Sequence, residues 1–307
     1  MTDVIRSSAQ GDAHGGAYLI DLEVGGHERV LDWNRIDIDW EGRGAGRGLR
    51  GISVVGDELY IAASDELFVF DRSFEIVRSH TNPYLHHCHE ISYDGERWLH
   101  LTSTTYNAVL RFDTAARRFD RAWFLGTRGG SALETVAFDP GSDSGPPRGD
   151  VLHLNQAFAR DGGVFVSGTR MGGLYRLADD RAEPWARVPV GTHNCRPMRG
   201  GLVIMNDTES DAVLLADRRG RRVRTMQYPV YDERELVHAG IDADYARQGF
   251  GRGLVVDEDR GIVVAGSSPG TVSAFDLSSG ERLRSVNVSM DIRNAPHGLA
   301  IWPPDAT

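Results

Sequence analysis

The stretch "THNCRPMRGGLVIMNDTESDAVLLADRRGRRVRTMQY", Thr192 to Tyr228, holds four short apolar or alternating runs separated by Gly, Asp, Glu and Ser turns. None of the runs has helical spacing, and each is the length of a strand. The third, "AVLLAD", closes on Asp217, a residue whose short side chain can cap the turn into the fourth run.

The same six-residue pattern recurs along the chain as "AYLID" after Gly16, "ELFVFD", "AVLRFD", "LYRLAD" and "TVSAFD", closing on Asp21, Asp71, Asp113, Asp179 and Asp276. Strand-like runs precede each copy, among them "LYIAAS", "WLHLTS", "VFVSGT" and "IVVAGS". Four strands in roughly 40 to 60 residues is the signature of a propeller blade. The expectation is therefore an all-β chain forming one six-bladed β-propeller domain over residues 1–307. Its last blade would be closed by N-terminal strands together with the C-terminal strand of "PHGLAIWP", which leaves no open sheet edge. Two insertions, at about 125–150 and 230–249, are candidate lids or binding loops, and the second has helical spacing.

Composition narrows the chemistry. The net charge of −10 disfavours nucleic acid and anionic membranes as partners, and "RRGRRVR", Arg218 to Arg224, reads as a solvated turn and strand. All 34 basic side chains are arginine, so Schiff-base and P-loop lysine mechanisms are excluded. "GRGAGRG", Gly42 to Gly48, accordingly reads as a connection, not a phosphate loop. Two cysteines, no spanning apolar run and no signal-peptide pattern lead to the expectation of a cytoplasmic protein.

Aligning the first strand of every unit puts Arg50, His89, His153, His193, Arg252 and His297 at one position. First strands surround the axis of a propeller, so these six side chains are expected to converge at the channel mouth. Four equivalent imidazoles in a chain with 11 histidines suggest a transition-metal site, with His89, His153 and His193 as a three-histidine face. His297 is then a fourth ligand or a catalytic group, and Fe(II) is the preferred ion, with Cu, Mn and Zn as alternatives. Arg50 and Arg252 suit an anionic group on a small substrate. Arg196 and Asn155 are further candidates for substrate, Glu90 for a catalytic or ligand-orienting role, and Asn155 and Cys195 share a strand face with His153 and His193. His86, His87 and His238 carry less weight because they lie in loops.

The ordered stretches "CHEI", "LHLN", "THNCRP", "GFGRGL" and "HGL", spread over roughly residues 50 to 300, resemble an uncharacterised bacterial family of propeller proteins, the domain of unknown function 4915 group. The resemblance implies a propeller with an axial site and no particular reaction. The site logic is similar to that of carotenoid-cleaving oxygenases, seven-bladed propellers whose axial iron is held by four histidines. Gluconolactonase-like hydrolases instead hold a cation with Glu, Asn and Asp. The functional expectation is a metal-dependent enzyme, an oxygenase or oxidative-rearrangement catalyst acting on a small anion. The alternatives are a lyase or hydrolase, and a non-catalytic propeller binding a ligand or a protein.

Overall fold

The computed structural model describes residues 1–8, 14–33, 48–128, 132–178, 181–243 and 245–302. The chain is all-β and takes a β-propeller arrangement of five blades. Their innermost strands are Ile52–Val55, Ile91–Tyr93, Leu154–Arg160, Thr192–Pro197 and Gly251–Asp257, and each blade continues outward as an antiparallel meander. Four blades have four strands. The one that begins at Ile91–Tyr93 has a fifth, because part of the first insertion, Ala132–Phe138, pairs with the long strand Arg118–Arg128.

The aspartate pattern marks the third strand of each unit, as expected. Asp21, Asp71, Asp113, Asp217 and Asp276 each accept a bond at Oδ1 from the backbone N–H two residues on, at 2.8–3.0 Å. This satisfies donors that the tight turn would otherwise leave bare. Asp179 lies outside the described residues, as does Gly42 to Arg47 of the glycine-rich connection.

Second and third strands are sandwiched between neighbouring blades, which is why they read as continuous apolar runs. Leu67 and Val69 pack against Leu99, Leu110 and Phe112 of the next blade, and Ile204 and Val213 against Leu254, Val263 and Phe275. Each such side chain contributes roughly 1.5–3 kcal/mol by leaving water. The outermost strands see solvent on one side, and Arg222–Gln227 shows why the arginine-rich run belongs there: charged edges do not recruit further strands.

The expectation of six four-stranded blades is corrected at the termini. There the structure has two two-stranded sheets, Asp3–Ile5 with Asn294–Pro296 and Gly16–Asp21 with Gly26–Asp32. An isolated bridge between Thr2 and Ala17 links them. The pairing expected along "PHGLAIWP" falls mainly before it, at Asn294–Pro296, and continues only as far as Thr2: His297 N donates to Thr2 O at 2.8 Å, and Gly298 N donates to the Thr2 hydroxyl at 2.9 Å. Thr2 N in turn donates to Gly298 O, and the Thr2 hydroxyl donates to Arg50 O. The chain ends therefore meet as expected, but through a short ladder finished by Thr2 instead of a complete four-stranded blade.

The second insertion forms a single 3-10 turn, Glu233–Glu235, among its described residues, so the helical spacing there was misleading: its apolar positions have no helix-length partner to pack against. No helix among the described residues is long and apolar enough to cross a membrane.

Candidate functional site

Neighbouring inner strands approach closely at the channel mouth, and three glycines permit it. Gly51, Gly253 and Gly298 directly follow Arg50, Arg252 and His297. A Cβ on Gly51 would lie 2.5 Å from Ile91 N, on Gly253 2.8 Å from His297 O, and on Gly298 2.3 Å from Arg50 O. Each glycine thus abuts the segment bearing the next member of the ring. The order Arg252, His297, Arg50, His89 around the axis follows from these contacts.

The structure brings all six aligned residues together. The ring centroid of His89 lies 5.0 Å from that of His153, 5.5 Å from His297 and 6.3 Å from His193. Arg50, His89, His193, Arg252 and His297 are buried, and the His153 side chain is partly exposed. A fifth imidazole joins them: His87 sits 4.7 Å from His89 and 6.0 Å from His153, centroid to centroid. His87 and His153 both have positive φ, +58° and +50°. Such backbone is rare outside glycine. In "HHCHE" no spacing rule singles out His87, because its positive φ breaks the alternation of an extended chain.

Hydrogen bonds fix three tautomers. Thr104 Oγ1 donates its proton to Leu154 O at 2.5 Å, so the 2.8 Å contact to His89 Nδ1 has the imidazole as donor. His153 Nδ1 likewise donates to Asp150 Oδ2 at 2.7 Å. Both rings keep a free Nε2 lone pair. His193 is the reverse: its Nδ1 accepts from Arg252 Nη1 at 3.3 Å, which places its proton on Nε2. Among the described residues, His297 Nδ1 is buried without a hydrogen-bond partner.

The electrostatics are one-sided. Burial, followed by neighbouring arginine charge, holds His89, His193 and His297 well below the ordinary histidine range and pushes His87 down to about 3. His153 is lowered by burial despite Asp150. Burial also lowers Arg50, to about 10, and Arg252. Both are nonetheless cationic at neutral pH, because an arginine guanidinium does not give up its proton in proteins. Arg6 adds a third guanidinium, with its Cζ 5.0 Å from the Phe250 ring centroid, while Arg252 lies over the same ring at 4.7 Å. Among the described residues, neither Arg50 nor Arg252 has a carboxylate within salt-bridge distance.

Other candidates fall elsewhere. Glu90 accepts from Asn194 Nδ2 at 2.8 Å and makes no hydrogen bond to an imidazole. Asn155 donates to Thr169 Oγ1 and Thr192 O, tying two blades together. Cys195 is buried in an apolar cluster with Leu174 and Val203. A bulge between Leu154 and Gln156, and another between His193 and Arg196 with Asn194 at φ +53°, break the alternation on which those placements relied. Arg196 points to a different cavity along the channel. His86 bonds Thr105, and His238 lies 3.2 Å from Asp291.

Among the described residues, no three His, Cys, Asp or Glu side chains are arranged to hold a metal ion. The tautomer of His193 gives a physical reason for that face, since its Nδ1 is engaged and its Nε2 protonated. No family model and no curated protein matches the chain.

Proposed function

We propose that the channel mouth binds a small organic anion and that its neutral imidazoles exchange protons with that anion, making the protein an enzyme. The observation that carries this reading is the burial of Arg50 and Arg252 without a carboxylate partner. Leaving a guanidinium buried and uncompensated is expensive, and a bound anion resolves the cost through charge-assisted bonds. The imidazoles beside it are neutral near pH 7, and an anion that offsets the neighbouring arginine charge would raise their basicity toward that of a general base; His89 and His153 offer Nε2 lone pairs held in place from behind. A cytoplasmic setting belongs to the same proposal, supported by two buried free thiols.

Calorimetric titration with small dicarboxylates and phosphate monoesters, dianions suited to two guanidiniums, tests it. At least one should bind to the wild type, and Arg50→Met and Arg252→Met should each weaken it by roughly 10- to 100-fold, the range for a charge-assisted bond. Binding that both variants leave intact would remove the proposal.

A second reading, a metal-dependent oxygenase or lyase, is favoured by one observation. Thr104 and Asp150 hold His89 and His153 in the tautomer that leaves Nε2 free, as partners of metal-ligating histidines do. His297 and His87 would complete such a set after side-chain rotation, with Fe(II), Mn, Zn or Cu as candidate ions. Metal content after anaerobic reconstitution decides: below about a tenth of an equivalent, with no loss in His89→Ala or His153→Ala, the reading fails.

A further inference from the structure

Further along the same inner strands, away from the imidazoles, the channel opens into a second cavity of about 300 Å³. None of the five clustered histidines lines it. Its walls come from the later residues of the inner strands and of the C-terminal segment: Val54, Tyr93, Phe158, Val255 and Ile301. Its polar groups include Glu90, Gln156 and Arg196, with Ser53 and Ser92 beside them. Glu90 and Gln156 are 6% and 1% exposed, so both are built into the floor.

These groups have unspent hydrogen-bonding capacity. Glu90 accepts from Asn194 at Oε1, which leaves Oε2 without a protein partner among the described residues. Arg196 stacks on Phe158, with its Cζ 4.7 Å from the ring centroid, and donates from Nη2 to Leu254 O, while its Nε is buried and unpartnered. Gln156 makes only long contacts, 3.3 Å to Ala157 O and 3.5 Å from Asn194 Nδ2. Asn194 itself is committed, because Gly253 N and Asn206 Nδ2 both donate to its Oδ1 at 3.0 Å. The floor is thus held rigid from behind while its front remains unsatisfied.

We propose that this cavity is a second ligand site, which takes a small monocarboxylate with an apolar tail. Arg196 would meet the carboxylate, Glu90 would donate to it as the neutral acid, and the tail would lie against Phe158, Val54 and Val255. Burial supports the assignment, since it pushes Glu90 up to about 8 even though Arg196 and Asn194 oppose the shift, and lowers Arg196 only to about 10. Near neutral pH the floor then carries one positive charge and no negative one. A volume of about 300 Å³ suits a short chain or a single ring. The proposal does not depend on what the imidazole cluster binds.

Hexanoate is the probe, with hexanol as its uncharged counterpart, titrated by calorimetry into the full chain. Saturable one-to-one binding of hexanoate at millimolar concentration or below is expected, with hexanol at least tenfold weaker. Arg196→Met should weaken hexanoate at least tenfold, and Val255→Trp, which fills the cavity with a bulky ring, should abolish binding in a chain that still melts cooperatively. Arg252→Met should leave it unchanged. No binding to the wild type below 10 mM, a hydrophobic preference for hexanol, or loss in Arg252→Met with retention in Arg196→Met each overturns the assignment; the last would transfer the anion to the imidazole end.

Discussion

Arg252 donates from Nη1 to His193 Nδ1 across 3.3 Å, and since an arginine side chain has donors only, the imidazole proton resides on Nε2. His89 and His153 hold theirs on Nδ1. Nitrogen-15 NMR of labelled histidine should therefore find two tautomers within one cluster. Arg252→Met should release His193 to a mixture. Finding His193 as the Nδ1–H form in the wild type would contradict the arrangement.

The buried imidazoles also set a pH dependence. His87, His89, His193 and His297 stay neutral in the fold but acquire protons near pH 6.5 when unfolded. The unfolded chain binds more protons below that pH, so stability is present above pH 6.5 and is lost as pH falls. Each ring contributes up to about 1.4 kcal/mol per pH unit. Glu90 and Asp3, raised by burial to about 8 and about 6, act in the opposite sense. Four rings outweigh two carboxyls, so the urea midpoint should drop from pH 6.5 to pH 5.5.

Glu90 has its own window. Its folded value is raised, so its contribution is full below the unfolded pKa and lost as pH rises toward about 8. Glu90→Gln removes that dependence. Relative to the wild type, the variant should gain about 2 kcal/mol between pH 6.5 and pH 8. Parallel stability curves for the two proteins over this range would show that Glu90 is ionised in the fold.

Removing an uncompensated buried charge should stabilise. Without added anion, Arg50→Met and Arg252→Met are each expected to raise unfolding free energy by about 1 kcal/mol or more, as when buried ionic groups are replaced by apolar ones of similar volume. A lowered denaturant midpoint in both would show that the guanidiniums are compensated within the chain.

The glycine seam can be tested by a single methyl group. Gly51→Ala and Gly298→Ala place a Cβ 2.5 and 2.3 Å from backbone atoms that cannot rotate away. Each should cost about 1–3 kcal/mol in chemical denaturation, the range for overpacking. Thr2→Val, which deletes the hydroxyl joining Gly298 N and Arg50 O, should cost a similar amount, about 1–3 kcal/mol, for the buried groups left bare. Midpoints unchanged in all three would mean that the chain ends are not held as described.

Much of this was legible in the chain because it depends on local chemistry. The aspartates cap turns two residues ahead, and the apolar runs fall between blades, so both features follow from spacing alone. The first-strand alignment also put Arg50, His89, His153, His193, Arg252 and His297 in one place. What spacing could not supply was the set of bulges at Leu154/Gln156 and His193/Arg196, which turn Cys195 into the core and Arg196 along the channel. Positive φ at His87 is equally invisible to a period-two reading, and it brings a loop histidine into the cluster. At the termini, pattern matching anticipated a sixth four-stranded blade where the structure has two two-stranded sheets.

The seam of Gly51, Gly253 and Gly298 separates two evolutionary freedoms. The residue that packs against the neighbouring backbone is fixed by space, whereas the residue just before it presents its side chain to the cluster at the channel mouth. Arginine and histidine already alternate at those preceding positions. A lineage could therefore rewrite the channel mouth one letter at a time, exchanging a cation for an imidazole or an imidazole for a carboxylate, without renegotiating how the blades meet.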